Sequence, residues 1–196
     1  MGKGEEFKDN ENRICIEENN LVLTLTDTSS NISEPIEIMI ERKKWVYPSK
    51  DELSNVMFKE YQAPTYDYTY GGRIFSFGDK IDQVNNFIIP LLKSDPSSRR
   101  AIVVIYDPAE DSKIPNKNSP GIIYIQFRIK QGKLHMNCHI RSNDLFFGWP
   151  ANIYQIYMLQ KFIAEKLRVE RGNISTVSNS AHVFKEDMEE INRIIG

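Results

Sequence analysis

Arg141-Ser142-Asn143-Asp144-Leu145-Phe146-Phe147-Gly148-Trp149-Pro150-Ala151-Asn152-Ile153 is the stretch from which the rest of the chain is read. Two periods meet in it. Upstream, Leu134, Met136, Cys138 and Ile140 alternate with His135, Asn137, His139 and Arg141, the pattern of a strand with one apolar face. Downstream, Ile153, Ile156, Tyr157, Leu159, Gln160 and Ile163 recur at helical spacing and predict a helix from Ala151 to about Arg168. Residues 141–149 between them read as a loop, with Gly148 and Pro150 as breakers. An Arg beside a Ser hydroxyl at a strand end can cradle an anion, and Asp144 can accept hydrogen bonds from a heterocycle. A turn with a salt bridge is an equally ordinary reading of the same residues.

Before this strand, residues 122–129 read as its hairpin partner across Lys130-Gln131-Gly132. Ile123, Ile125, Phe127 and Ile129 are expected on one face, with Tyr124, Gln126 and Arg128 on the other. Residues 101–106 (AIVVIY) predict a strand buried on both faces. Residues 107–120 predict a loop. Asp95-Pro96-Ser97-Ser98 predicts a turn, and Asp79 is expected to cap a helix carrying Ile81, Val84, Ile88, Leu91 and Leu92, kinked or ended by Pro90. Gly71-Gly72 reads as a tight turn. Ser49 and Glu52 form a capping box ahead of a helix reaching about Glu60. Ile36, Ile38 and Ile40 alternate as a half-buried strand would, and residues 21–25 (LVLTL) as another. The first dozen residues look loose. Residues 173–184 predict a strand, and residues 186–195 a short helix.

The composition bounds the function. The chain has 196 residues, 40% hydrophobic and 27% charged, which suits one globular domain over 1–196. No apolar run is long enough for a bilayer, and the polar N-terminus has no leader pattern, so a cytoplasmic protein is expected. Lys plus Arg total 25 and Asp plus Glu total 27, a net charge of -2 that argues against nucleic acid as a partner. Cys15 and Cys138 are too few for a disulfide scaffold or an all-cysteine zinc site. His135 and His139 lie four residues apart on one strand face, too far to share a metal, so no metal is expected.

Other local features leave alternatives open. Arg99-Arg100 beside a Ser-Ser turn can grip a phosphate, or be a solvated basic pair. Asn152 in a first helical turn can read a pyrimidine edge, since an amide both donates and accepts, or serve as a cap. His182 can donate to a sugar hydroxyl or be a structural histidine.

The order of these features from Tyr70 to Phe184 resembles the thymidylate synthases and the related pyrimidine C5 hydroxymethylases. The matching segments are Tyr70-Gly71, Asp82-Gln83, Asp95-Pro96-Ser97-Ser98-Arg99-Arg100, Gln126-Phe127, Gly132-Lys133-Leu134, the Arg141–Ile153 stretch, and His182-Val183-Phe184. The resemblance implies an α+β fold with one mixed sheet and flanking helices, dimerising through the sheet. It implies that Arg141 and Ser142 bind a nucleotide phosphate, and that Arg99 and Arg100 bind the phosphate of the other subunit's nucleotide in a homodimer with shared sites. By the same resemblance Gln126 belongs to the substrate site, Asn152 reads uracil, and His182 contacts the sugar. Asp144 would hold the pterin of a reduced 5,10-methylene folate or methanopterin, and Tyr70 would assist proton removal at C5.

The departures are as specific. Pro120 keeps the family spacing to Gln126, but the nucleophile's position next to it is Gly121, and the histidine's is Ile122. A thiolate there attacks C6 and makes C5 carbanion-like; glycine supplies none. Phe184 replaces a tyrosine, and the family's catalytic glutamate has unranked candidates in Glu37, Glu41, Glu52 and Glu60. The chain also ends early, as short archaeal-type members do. Two functions therefore follow: one-carbon transfer to the C5 of dUMP or a related nucleotide, or nucleotide binding by a catalytically impaired, regulatory homologue.

Overall fold

The computed structural model describes residues 4–27, 31–42, 47–58, 68–114 and 118–196. One mixed six-stranded sheet runs in the order β1-β2-β6-β5-β4-β3. In chain order the strands are β1 (Glu5–Lys8), β2 (Ile14–Leu25), β3 (Ile102–Val104), β4 (Ile122–Lys130), β5 (Lys133–Asp144) and β6 (Glu170–Phe184). The helices are α1 (Glu34–Arg42), α2 (Lys50–Phe58), α3 (Tyr70–Phe75), α4 (Ile89–Ser94), α5 (Pro108–Asp111), α6 (Gly148–Leu167) and α7 (Met188–Ile195). This is the expected α+β architecture.

The hairpin of β4 and β5 holds the centre of the core. Leu134, Met136, Cys138 and Ile140 are all buried, as the alternation requires. They pack with Ile153, Ile156, Leu159 and Ile163 of α6. That helix crosses from the end of β5 to the start of β6, so the two strands pair in parallel. Gln160 is buried on α6 and donates to Leu134 O at 2.8 Å and Gly172 O at 3.0 Å. Its amide satisfies carbonyls where the β5–β6 register shifts between Leu134 and Met136. Among the described residues no helix is long and apolar enough to cross a membrane.

Several expectations are corrected. Ile36, Ile38 and Ile40 lie in helix α1, not a strand. Its buried residues, Ile36 and Met39, are one helical turn apart, Glu34 and Glu37 occupy the first turn, and Ile40 is exposed. Gly71-Gly72 is helical: Thr69 Oγ1 accepts the Gly72 N–H at 3.0 Å and caps α3. Asp82, not Asp79, caps the next helix, accepting from Val84 N at 3.1 Å and Asn85 N at 2.8 Å. Residues Val84–Ile88 form a π-helical turn that leads into α4. Ile89 donates to Val84 five residues back, and Pro90, which has no N–H to offer, follows it.

The 101–106 run is also not buried on both faces. Val103 is buried, but Ile102 and Val104 are exposed, because the sheet face they share with Val22 of the inner strand β2 is uncovered. A bulge between Ile122 and Tyr124 turns Ile122 and Ile125 into the core and leaves Ile123 only partly buried. The 107–120 loop contains α5, announced by an Asp107-Pro108 cap-and-first-turn pair; Asp107 accepts from Ala109 N at 3.0 Å. Helix α6 starts at Gly148, with Pro150 in the first turn where no N–H is needed. The N-terminal residues expected to be loose include β1, which pairs with β2. The Ser49–Glu52 capping box forms as read, with Ser49 N to Glu52 Oε2 at 2.8 Å and Glu52 N to Ser49 Oγ at 3.2 Å.

Candidate active site

The C-terminal ends of the parallel strands β5 and β6 lie side by side. Register sets three rows: Ser142 beside Ser180, Asn143 beside Ala181, and Asp144 beside His182. Strand β2 extends the rows on the far side, placing Glu17 beside His182 and Cys15 beside Phe184. Neither Glu17 nor Cys15 was signalled by a motif; only the strand pairing brings them here.

Three further groups converge from outside these strands. Tyr70 opens α3, and its hydroxyl stands 3.5 Å from Asn152 Oδ1 in the first turns of α6. A Cβ placed on Gly121 would stand 3.7 Å from the Tyr70 hydroxyl and 3.5 Å from Ser142 O. Gly121 O accepts the Arg141 N–H at 2.8 Å. The Arg141 guanidinium donates from Nε to Pro120 O at 2.9 Å and from Nη2 to Ser119 O at 2.8 Å. It thereby steadies the segment bearing Gly121, and its other N–H groups stay available to an anion. So Tyr70, Gly121, Arg141, Ser142 and Asn152, far apart in sequence, occupy one neighbourhood.

Helix α3 is held at its other end as well. Arg73 pairs with Asp111 at 3.0 Å and with Asp107 at 3.2 Å. Gln83 donates to Arg73 O at 2.9 Å and to Val104 O at 2.7 Å, and accepts from Val104 N at 3.0 Å. The Asp82-Gln83 segment therefore fastens the tyrosine's helix to the sheet. Arg73, Asp107 and Asp111 drew no notice in the sequence, although the Asp107-Pro108 pair was a legible helix start.

Asp144 and His182 face each other across the strand ends. Asp144 Oδ1 accepts from Phe146 N at 2.9 Å and Phe147 N at 3.1 Å, turning the chain into α6. Burial pushes its carboxyl above the ordinary aspartate value, against the two N–H bonds and His182, which favour the charged form. His182 Nδ1 is buried without a hydrogen-bond partner, and its ring meets Phe184 edge-on at 5.3 Å. An unpaired buried nitrogen costs about 1–3 kcal/mol, a cost that a ligand hydroxyl would remove. Asn143 Oδ1 is likewise unpaired, while its Nδ2 donates to Ser178 Oγ at 2.9 Å.

The remaining candidates fall elsewhere. Gln126 lies on the opposite sheet face from Phe127 and donates to Arg99 O at 2.9 Å. Arg99 and Arg100 are exposed at the β3 end, and the structure joins neither to the Arg141 neighbourhood. Glu37 accepts from Lys50 and Ser33, which lower its pKa, and Glu52 is held by Ser49. Glu41 is exposed on α1, and Glu60 lies outside the described residues. His135 accepts from Asn173 N at 3.1 Å, and His139 stacks on Tyr124 at 4.4 Å. Among the described residues no group of three or more His, Cys, Asp or Glu could hold a metal ion. A surface cleft lined by Lys133, Tyr157, Lys161 and Glu170 sits at the other end of β5 and β6, and its lining contains none of these candidates.

Comparison with known proteins bears on the same residues. A family model described as thymidylate synthase matches residues 21–196. A Methanosarcina acetivorans protein named "Putative thymidylate synthase" is 33% identical over 155 residues, 79% of this chain and 70% of that protein. A Methanococcoides burtonii protein of the same name is 31% identical over 176 residues, 90% of this chain and 77% of the relative. "Thymidylate synthase 1" of Bacillus spizizenii is 34% identical over 114 residues, which are 58% of this chain and 40% of that protein.

Proposed function

The chain belongs to the thymidylate synthase family, whose chemistry is methyl transfer to pyrimidine C5, and from that premise we propose that it binds deoxyuridylate at the ends of β5 and β6. The convergence of Arg141, Ser142, Asn152 and Tyr70 around Gly121 carries this reading. Arg141 and Ser142 take the phosphate, Asn152 reads the uracil edge, and His182 offers its unpaired Nδ1 to the sugar. Asp144 suits the pterin of a reduced folate or methanopterin: only its Oδ1 is used by the α6 cap, and Oδ2 accepts no hydrogen bond among the described residues. That cofactor would supply the one-carbon unit. Arg99 and Arg100 serve the partner's nucleotide in a homodimer, and residues 1–196 act as one domain.

Gly121 favours a second reading, in which the chain binds the nucleotide to sense or regulate and does not turn it over. Calorimetry tests the shared premise. Wild type is expected to bind deoxyuridylate, and Arg141→Ala to bind it about tenfold more weakly or worse, since charge-assisted contacts are worth about 1.5–3 kcal/mol. No heat of binding in the wild type would end both readings. Tritium release from C5-labelled deoxyuridylate with reduced folate or methanopterin then divides them. Release above background selects the enzyme; silence with binding intact selects the regulator.

A further inference from the structure

The surface cleft at the start of β5 and β6 shares no residue with the Arg141 neighbourhood, and an irregularity of the sheet turns one side chain into it. Between Leu134 and Met136 the parallel pair slips: His135 of β5 stands against two residues of β6, Gly172 and Asn173. Strict alternation would put Arg171 on the sheet face away from Ile174 and α6. The extra residue turns it to the face of Leu134 instead. There the Arg171 guanidinium lies over the Tyr157 ring of α6, 4.9 Å from the centroid, and donates through Nη1 to the Tyr157 hydroxyl.

The slip is fixed from three sides. His135 Nδ1 accepts the Asn173 N–H at 3.1 Å. Gln160, buried on α6, donates to Leu134 O and Gly172 O. Gly172 has room for no side chain: a Cβ there would stand 2.7 Å from His135 Cε1. Arg171 is therefore held in one orientation before any ligand arrives, which lowers the entropy cost of binding one.

What the guanidinium is held for is not an ion pair within the chain. Asp27, Glu165 and Glu170 line the same cleft, yet none pairs with Arg171; Glu170 holds Lys133 instead, at 3.1 Å. Tyr157 uses only Nη1, so Nε and Nη2 keep free the side-on fork that matches a phosphate. Lys161, one helical turn along α6 from Tyr157, lines the cleft as a second cation without an ion pair among the described residues. The cleft's volume of about 600 Å³ falls within the range of about 300–1,000 Å³ typical of small-molecule sites.

We propose that this cleft is a second binding site, for an organic phosphomonoester such as a sugar phosphate. The Arg171 fork and the Lys161 ammonium take the phosphate dianion. The carboxylates along the rest of the lining accept hydrogen bonds from hydroxyls of the organic part, so a second anionic group on the ligand is disfavoured. The site stands independently of deoxyuridylate binding at the other end of β5.

Ribose 5-phosphate is the probe, titrated into the full chain by calorimetry and followed in parallel by nitrogen-15 NMR. Arg141→Ala is titrated alongside wild type, to separate this cleft from the Arg141 neighbourhood. In both proteins the backbone amides of Lys133, Arg171 and Gly172 are expected to shift and saturate together. Ribose without the phosphate is expected to give no saturable shift, and inorganic phosphate to bind about tenfold more weakly than the ester. Arg171→Met keeps a stem over Tyr157 and removes the fork, and is expected to weaken binding by about tenfold or more. Lys161→Gln, on an exposed part of α6, is expected to weaken it by about threefold. It decides the matter if Arg171→Met does not fold. Shifts confined to residues around Arg141, shifts lost in Arg141→Ala, or affinity unchanged in a folded Arg171→Met and in Lys161→Gln would each overturn the proposal. Ribose binding as well as its phosphate would do the same, as would inorganic phosphate matching the ester, the mark of an adventitious ion only.

Discussion

Asp144 Oδ1 accepts two backbone N–H bonds while the residue itself is partly buried. Burial outweighs the bonds, and its pKa is raised. The folded state therefore holds this proton more tightly than the unfolded chain does. Unfolding releases it in the window between the ordinary aspartate value and the raised one, so there Asp144 lowers stability as pH rises. Asp144→Asn keeps the capping oxygen and removes the titration. The variant's stability relative to wild type is expected to increase as pH rises from the ordinary aspartate value through the raised one, then level off. Urea denaturation across that range checks it; a difference that is flat, or falls with pH, contradicts the assigned cause. The residue was legible in sequence as an acceptor at a strand end. Its neighbour Glu17 was not, because the two are brought to one row by strands that no local pattern pairs.

The β4–β5 hairpin shows how an element can be read from its residues. Lys130 pairs with Lys133, leaving Gln131 at φ 53° and Gly132 at φ 73° as the turn. Both are left-handed, the conformation of the two-residue turn whose twist matches a hairpin. Glycine accepts it freely, whereas glutamine pays roughly 1 kcal/mol for it. Gln131→Asn is expected to stabilise the chain by about 0.5 kcal/mol, and Gly132→Val to destabilise it by about 1–2 kcal/mol, by chemical denaturation. Equal effects at the two positions would contradict the turn assignment. Elements with a strong period and definite ends, such as this hairpin and α6, were legible in this way. Ile36 to Ile40 were not: a five-residue alternation also fits a helix when Ile36 and Met39 are the buried pair, and only packing decides. The edge position of β3 was equally hidden, since a β-branched run looks the same at a sheet's centre and at its margin. At the candidate site, the motif order pointed to Arg141, Asn152 and Tyr70, whereas the Arg73–Asp111 anchor depended on a fold that brings α3 to α5.

Across the whole molecule, the sheet face opposite Phe127 presents a continuous row. Val104 pairs with Tyr124, Tyr124 with His139, His139 with Val177, and Val177 with Val22, so strand register lines up all five. Val104 is 43% exposed and Val22 is 59% exposed. The next row, Ile102, Gln126, Asn137, Ser175 and Thr24, is polar except for Ile102. A second copy laid on this face would cover both rows. It would also give a place to Arg99 and Arg100, which stand exposed away from their own chain's Arg141 neighbourhood. A homodimer through this face is therefore expected, with a solution mass of twice the 22.8 kDa chain. Val104→Glu puts a charge at the β3 end of this row, where burial under a second copy without a partner costs several kcal/mol. Sedimentation should show that variant as a single chain of 22.8 kDa with its circular-dichroism spectrum retained. Because the arginine pair would then reach no nucleotide, its deoxyuridylate affinity should fall by about tenfold or more. A Val104→Glu monomer that binds as tightly as wild type would detach the arginine pair from the site. A wild type that sediments as a single chain at micromolar concentration would leave the exposed rows to some other role.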